Sequence, residues 1–228
     1  MAAVVGAATF VGAASTEAAP RPGRTATAAS ASVSGSFRPV LTSQWAGYFE
    51  TPGHVTSAKA TWIAPKLSCT GAQTLSSTWV GVGGLSGGSL LQAGLFDNCL
   101  DGTPENGAFA EEYPGSTISF NLRIRSGDTI TAFVEKGPSG WYARVTDATT
   151  GQSGVSRAPD YRGGGSAEWM AEAYGSSRGV PVSNFGSERL SMFSVDHAPA
   201  RISSAGVYEM PHISASNPST GVFRLRYH

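Results

Sequence analysis

Apolar and polar residues alternate with a period of two in the stretch 117–125. Every second residue from Ile118 to Ile124 is apolar, and the residues between them are polar. This alternation predicts a half-buried antiparallel strand. The pattern returns in 129–135 and 141–146, and turns containing Gly separate the three segments. Three such strands in succession predict a meander, which is typical of a β-sandwich or β-barrel.

Other short segments rich in β-branched, aromatic and alternating residues predict further strands. These segments are 45–50, 57–63, 76–82, 89–96, 188–195, 204–209 and 221–227. No internal repeat is visible, which argues against a solenoid or a propeller. The 29 glycines also suit many strands joined by tight turns better than a helical bundle.

The N-terminal part of the chain has a different composition. Residues 1–19 contain an apolar run of small residues followed by Ala-Ala, which is typical of a secretory signal, although no basic residue precedes the run. A buried strand or an Ala-rich tail is the alternative. Residues 20–43 are rich in Ala, Ser, Thr and Pro and predict a linker or a short pro-segment. We therefore expect a secreted protein whose folded domain covers 44–228.

Charge and length limit the function classes. The 228 residues include 16 basic and 16 acidic side chains, so the net charge is zero. A neutral chain has no electrostatic attraction to nucleic acid or anionic lipid. The apolar run in 1–19 is too short to span a bilayer. We expect one substantial domain, with neither nucleic acid nor a membrane as a partner, that acts as a monomer.

Cys69 and Cys99 are the two cysteines of the chain. In a secreted protein an even number of cysteines favours a disulfide, and two buried thiols are the alternative. Their spacing matches no zinc motif, and the four histidines form no ligand cluster in the sequence. We therefore expect no metal site.

Four short motifs occur in one order along the chain. They are Ser43-Gln44-Trp45-Ala46-Gly47-Tyr48, then Trp79-Val80-Gly81 with Leu91-Gln92-Ala93-Gly94, then Glu111-Glu112-Tyr113-Pro114, and last Ala167-Glu168-Trp169-Met170-Ala171-Glu172. In this order they resemble the glutamic peptidases, the eqolisin family of secreted acid proteases. The resemblance runs from about Trp45 to the C-terminus. It implies that Gln92 and Glu172 are the catalytic residues.

The same resemblance implies the fold, the substrate and the residues that bind it. It implies an all-β fold, an antiparallel β-sandwich of two packed sheets, which acts on polypeptides without a cofactor. The residues that it places along the substrate cleft are Trp45, Trp79, Phe109, Glu111 and Tyr113. The chain departs from the family pattern twice, since Val82-Gly83-Gly84 follows Trp-Val-Gly where an Asp is common, and Phe109 stands where a Trp is expected. Both concern the cleft, so they put the substrate preference in question more than the mechanism.

A glutamine and a glutamate supply the two functions that peptide hydrolysis needs. A carboxylate acts as general base toward water, and a carboxamide N–H stabilises the oxyanion of the tetrahedral intermediate. Glu172 then protonates the leaving amine. An isolated glutamate titrates at about pH 4.3, so this chemistry suits an acidic medium.

Each candidate residue also has a structural interpretation, and two other functions remain open. Gln92 and Glu172 suit solvent-facing positions, and the aromatic residues suit the core. Glu111 and Glu172 would serve a glycoside hydrolase if their carboxyl groups lay about 5 to 10 Å apart. Trp45, Trp79 and Trp141 would instead form the stacking face of a binding module without catalytic activity.

The segment 166–174 gives two different predictions. Its residues are good helix formers, with Ser166 at an N-cap position and Gly175 as a stop. The family resemblance implies a strand, which is the prediction that we adopt. In a strand Glu168 and Glu172 share one face about 13 Å apart, too far to share one water.

Overall fold

The computed structural model describes residues 39–86, 88–200, 206–218 and 221–228. The predicted signal in 1–19 and the part of the predicted 20–43 linker up to residue 38 lie outside these residues, and the last part of that linker includes the two-residue strand Val40–Leu41. Strands are the main regular structure of the described chain, with two single-turn 3-10 helices at Gly84–Ser86 and Ser176–Arg178. The strands are β1 (Val40–Leu41), β2 (Trp45–Glu50), β3 (Ser57–Ile63), β4 (Thr74–Val82), β5 (Leu90–Leu100), β6 (Thr103–Tyr113), β7 (Thr117–Phe120), β8 (Thr129–Gly137), β9 (Gly140–Asp147), β10 (Gln152–Ala158), β11 (Ala167–Glu172), β12 (Ser187–Val195), β13 (Ala198–Pro199), β14 (Gly206–Glu209), β15 (Ile213–Ala215) and β16 (Val222–Tyr227).

These strands form two packed sheets. The first sheet has the order β1-β14-β2-β11-β4-β5-β6-β7, and the second has the order β10-β9-β8-β3-β12-β16-β15 with β13 beside β12. Every pair is antiparallel except β1 with β14. The predicted antiparallel β-sandwich of two packed sheets is therefore confirmed.

The main core lies between the two sheets. Alternate residues of each strand point inward, such as Val80 and Val82 of the first sheet and Ala132 and Val134 of the second. The indole of Trp169 crosses this layer, and its Nε1 donates to the carbonyl oxygen of Lys59 at 2.9 Å. The longer strands of the sandwich thus present one face to the core, and their other face lies on the outside of the sandwich.

The predicted meander is wrong in its first member. The strand ends at Phe120 and belongs to the first sheet, where it pairs with β6. After the strand, the amide of Leu122 donates to the carbonyl oxygen of Phe120. At the other end of this segment, the amide of Ala64, which directly follows β3, donates to the carbonyl oxygen of Asp128. Residues 121–128 therefore cross from the first sheet to the second. The meander of the second sheet is β8-β9-β10. Alternation identified an extended chain but not the sheet that it joins.

The segment predicted as a strand in spite of its helix propensity is strand β11. It lies between β2 and β4 and pairs with both along its full length. Hydrogen bonds on both edges outweigh an intrinsic helix preference of a few tenths of a kcal/mol per residue, roughly.

Cys69 and Cys99 are joined by a disulfide, with their Cα atoms 5.5 Å apart. The bond ties the loop before β4 to the end of β5, so it closes the segment that carries Trp79 and Gln92. In the described part of the chain, no helix is long and apolar enough to cross a membrane.

Candidate active site

The outer face of the first sheet carries a second, smaller apolar layer. Trp79, Leu90, Phe109 and Met170 are buried there, although they point away from the main core. Partly buried aromatic residues cover them, namely Trp45, Phe49, Phe96, Tyr113 and Tyr208. Four of the residues predicted to bind substrate, Trp45, Trp79, Phe109 and Tyr113, thus belong to one cluster.

The register of the sheet places three polar side chains on this same face. One row of residues runs directly across β11, β4, β5 and β6, and it consists of Glu168, Gly81, Gln92 and Glu111. Residues opposite one another in antiparallel strands point to the same side. Glu172 lies four residues further along β11 and therefore also points outward.

Two tryptophans hold the carboxyl group of Glu172. The Nε1 of Trp79 donates to its Oε2 at 2.9 Å. Trp45 also hydrogen bonds to it, and the ring of Trp45 packs edge-on against that of Trp79 at 5.5 Å. Burial raises the pKa of Glu172 to about 7, with a smaller rise from the charge of Glu111, against the lowering by the two indole donors.

Gln92 is bound to Glu111 rather than to Glu172. Its Nε2 donates to Glu111 Oε2 at 2.9 Å, and the residue is only 5 % exposed. Its Oε1 is buried and has no protein partner among the described residues. Burial raises the pKa of Glu111, although hydrogen bonds from Gln92 and Thr117 oppose the rise.

Glu111 is therefore the group that connects the two predicted catalytic residues. It accepts a hydrogen bond from Gln92, and its charge acts on Glu172. Within the described residues no hydrogen bond joins Gln92 directly to Glu172. The second N–H of the Gln92 carboxamide and its Oε1 remain available to a water or a substrate.

Two glycines of the second sequence motif allow this packing. A Cβ on Gly94 would lie 2.1 Å from the backbone oxygen of Thr78, and a Cβ on Gly81 would lie 2.7 Å from Leu90 Cδ1 and 2.9 Å from the ring of Trp79. Only glycine lets the Trp79 side chain lie flat along the sheet between these strands.

Phe109 occupies the position where a tryptophan was expected. It is 2 % exposed and stacks on Phe96, with the ring centroids 4.3 Å apart. It lies opposite Gly94 in the register. At this position the aromatic residue contributes packing, and it has no N–H to offer a ligand.

Glu168 is the second carboxyl group of β11, which the sequence placed about 13 Å from Glu172. It has no exposed area, and neither carboxyl oxygen has a partner within hydrogen-bond geometry among the described residues. Burial raises its pKa to about 7, and polar groups of Ser166, Leu85 and Gly84 reduce the rise. The period of two in β11 puts Glu168, Met170 and Glu172 on one face, as the strand prediction for this segment implies, but the burial of Glu168 has no signal in the sequence.

A cavity of about 330 Å³ adjoins Glu111 and Tyr113 and is also lined by Arg157 and Asp160. Gln92 and Glu172 do not line it. The hydrogen bonds of the outer face, and not this cavity, therefore mark the candidate site. Among the described residues there is no group of three or more His, Cys, Asp or Glu side chains that could hold a metal ion.

Comparison with protein families gives one match over most of the chain. A family model described as the Peptidase A4 family matches residues 43–221. This range includes all four motifs and every residue of the candidate site. Among curated proteins, no match to the chain was found.

Solved structures of similar fold include three peptidases. A scytalido-glutamic peptidase with a transition state analog inhibitor has a TM-score of 0.69 and 22 % identity, over 82 % of this chain and 98 % of that one. SCP-B, a member of the eqolisin family in a complex with the tripeptide Ala-Ile-His, has a TM-score of 0.66 and 20 % identity, over 82 % and 98 % of the two chains. The aspergilloglutamic peptidase from Aspergillus niger has a TM-score of 0.54 and 26 % identity, over 68 % and 99 %.

Proposed function

Because the chain belongs to the Peptidase A4 family and is thus a glutamic-type endopeptidase, we propose that Glu172 and Gln92 are its catalytic residues. The observation that carries the proposal is the support given to each side chain. Glu172 is held by Trp79 and Trp45, and Gln92 is held by Glu111. Side chains that are preorganised in this way lose little reorganisation energy during reaction.

Glu172 acts as the general base. Its ionised carboxylate takes a proton from a water, the water oxygen bonds to the scissile carbonyl carbon, and the carbonyl electrons move to the oxygen. Glu172 then gives the same proton to the leaving nitrogen as the C–N bond breaks. Burial prepares the group for both steps, because a pKa raised to about 7 makes a stronger base and keeps the acid form stable.

Gln92 stabilises the oxyanion. One hydrogen of its Nε2 is bound to Glu111, which fixes the plane of the carboxamide. The other hydrogen is directed to the negative oxygen of the tetrahedral intermediate, and the unpartnered Oε1 accepts from the attacking water. Glu111 is a positioning residue, since it acts through Gln92.

The substrate is a polypeptide, and we propose that the aromatic layer of the outer face binds it. Trp45 and Tyr113 are partly exposed members of that layer, next to Glu172 and Glu111 respectively. We further propose that the enzyme is secreted and works in a weakly acidic medium. The ionised fraction of Glu172 decreases below about pH 7. Above that pH, buried carboxyl groups such as Glu168 lose their protons, and the folded state becomes less stable.

Two variants test the dyad in an assay of denatured-protein cleavage in the weakly acid range. Glu172→Gln keeps the shape but removes the base, so turnover should almost vanish. Gln92→Ala removes one oxyanion donor and should lower kcat by about 10² to 10³. Glu105→Gln removes an exposed carboxyl of β6, and Gln152→Ala removes an exposed amide, so both controls should keep full activity.

Glu168→Gln separates the dyad from its neighbour on β11. The register places Glu168 across Gly81 from Gln92, and Glu172 four residues further along β11, so this variant distinguishes the two carboxyl groups. Under the proposal its activity should fall far less than that of Glu172→Gln, and a near-complete loss in Glu168→Gln would move the general base to Glu168. Full activity of a Gln92→Ala, Glu172→Gln double variant would refute the dyad. Cleavage of a polysaccharide without cleavage of protein would favour the glycoside hydrolase, and binding without turnover would favour a binding module.

A further inference from the structure

Two buried carboxyl groups lie between the sheets, away from the candidate active site. Asp97 belongs to β5, the strand that carries Gln92, but five residues further along it points into the core rather than outward. Glu188 belongs to β12 of the opposite sheet. Their exposed fractions are 0 % and 1 %, and neither has a role in the proposed reaction.

Polar groups satisfy only part of this pair. Asn106 Nδ2 donates to Asp97 Oδ1 at 2.7 Å, and Thr78 Oγ1 donates to Glu188 Oε2 at 2.5 Å. The remaining oxygens, Asp97 Oδ2 and Glu188 Oε1, are buried and have no partner among the residues that the structure describes. The pair thus leaves one unsatisfied acceptor on each carboxyl group.

No positive charge compensates the two groups. In the part of the chain that the structure describes, no Lys, Arg or His forms an ion pair or hydrogen bond with either carboxyl. β4 contributes the hydroxyl of Thr78, and β6 contributes the amide of Asn106. The phenol of Tyr174 lies on the outer face of the sheet, where it donates to Asn98 Oδ1, and the charge of Asp97 reaches it only at a distance. Two ionised carboxylates in this setting would repel each other without solvation.

The hydroxyl of Thr78 provides a second argument. It donates to Glu188 Oε2, and its position on β4 is the diagonal neighbour of Asp97 on the same face of the sheet, where it lowers the pKa of Asp97. A hydroxyl has one hydrogen, which here is donated to Glu188. The hydroxyl oxygen can therefore bond to Asp97 only if Asp97 brings a hydrogen of its own.

We propose that Asp97 and Glu188 keep a shared proton in the folded protein up to neutral pH, and that this proton holds the two sheets together. With the proton in place, only one of the two buried groups contributed by β5 and β12 carries a charge. Loss of the proton would leave a buried pair of like charges. The folded state would then depend on an acidic medium independently of the catalytic residues.

The direction of the titration agrees with this geometry. Burial raises the pKa of Asp97 to about 7 and, with the charge of Asp97, raises the pKa of Glu188 well above 4.5. In the unfolded chain both groups titrate near their ordinary values of 3.8 and 4.5. The folded state binds more protons, so the stabilisation is complete below about pH 4 and decreases as the pH rises through about 7.

Two isosteric variants test the shared proton. Asp97→Asn and Glu188→Gln each place an N–H where the proton lies, so neither needs an acidic medium to complete the contact. At about pH 7 we expect each variant to have a higher Tm than the unmodified protein, by roughly 2 to 4 °C or more. At about pH 4 this advantage should disappear, and peptidase activity in the acid range should be unchanged.

Asp147→Asn is the matched control. Asp147 is also fully buried, but it accepts hydrogen bonds from the backbone of Thr149 and Thr150 and from the Thr150 hydroxyl. An amide cannot replace all of these acceptors, so this variant should lower the Tm at both pH values.

A second measurement does not depend on the variants folding well. The pH dependence of denaturant unfolding counts the protons that the chain releases on unfolding. The unmodified protein should release protons between about pH 5 and 7, and each isosteric variant that folds should release about one fewer. The proposal is overturned if the unmodified protein is equally stable at both pH values, or if the variants retain its full pH dependence.

Discussion

Glu172 differs from an ordinary glutamate through three neighbours. Burial raises its pKa, the indoles of Trp45 and Trp79 lower it, and the charge of Glu111 raises it further. The net value of about 7 means that the group carries its proton in strongly acidic media. The ionised fraction, and with it the rate of water activation, grows as the pH approaches that value.

Glu111→Gln should change the pH profile of catalysis. The substitution removes the negative charge that raises the pKa of Glu172, so this pKa should fall. The rising limb of kcat/KM should therefore move to lower pH. Because the glutamine carbonyl still accepts from Gln92, the maximal rate should fall less than in Glu172→Gln.

The pH dependence of kcat/KM between about pH 3 and 8 is the measurement. A limb that stays in place would show that Glu111 does not act on the catalytic base through its charge. Glu105→Gln, on the same strand but exposed, should leave the limb unchanged.

At the scale of elements, the site depends on how closely β4 and β5 approach one another. Trp79 lies opposite Gly94, and Gly81 lies opposite Gln92. The two glycines leave room for the indole, which in turn donates to Glu172. The strands therefore position the base through a tryptophan of the neighbouring strand.

Gly94→Ala should destabilise the fold and weaken catalysis together. Its Cβ would meet a backbone oxygen at 2.1 Å, and backbone cannot move aside as a flexible side chain can. We expect a loss of about 1 to 3 kcal/mol in the free energy of unfolding. Thermal unfolding and peptidase assays at acid pH measure the two effects.

Gly107→Ala is the control for this prediction. It lies on β6, where the added Cβ would meet only the ring of Phe96 at an ordinary distance of 3.9 Å. Its Tm and activity should stay close to those of the unmodified protein. If Gly94→Ala behaved in the same way, the close approach of β4 and β5 would not be a requirement of the site.

At the scale of the whole molecule, a single covalent link closes the segment that contains half of the site. The disulfide joins cysteines 30 positions apart, and Trp79, Gly81 and Gln92 lie within the closed loop. A crosslink of this length stabilises a fold mainly by restricting the unfolded chain.

Replacing both Cys69 and Cys99 with Ala should lower the free energy of unfolding by about 2 to 4 kcal/mol. Denaturant unfolding of the oxidised protein and of the variant gives the difference. A reducing agent should lower the Tm of the unmodified protein and leave that of the variant unchanged. Two free thiols in the unfolded, unreduced protein would contradict the disulfide.

Patterns in the sequence predict the fold class, most of the strands and the residues of the proposed site. Period-two alternation identifies an extended chain because the side chains of a strand alternate between two faces. The strands at 45–50 and 57–63 are predicted with their observed bounds. The order of the four motifs indicated Gln92 and Glu172 without any structural information. The long strand β6, Thr103–Tyr113, is not predicted from the sequence, because Pro, Asn and Gly interrupt its alternation of apolar and polar residues.

The contacts between distant side chains and the pairing of strands follow from the tertiary structure and not from local sequence patterns. Alternation placed 117–125 in a meander, but sheet membership depends on pairing with β6, which is a long-range contact. The register of several strands brings Gln92, Glu111 and Glu172 together and buries Glu168 completely. The packing of the two sheets against each other brings Asp97 near Glu188. Local sequence cannot specify these contacts, because each one joins residues far apart in the chain and its energy arises from burial.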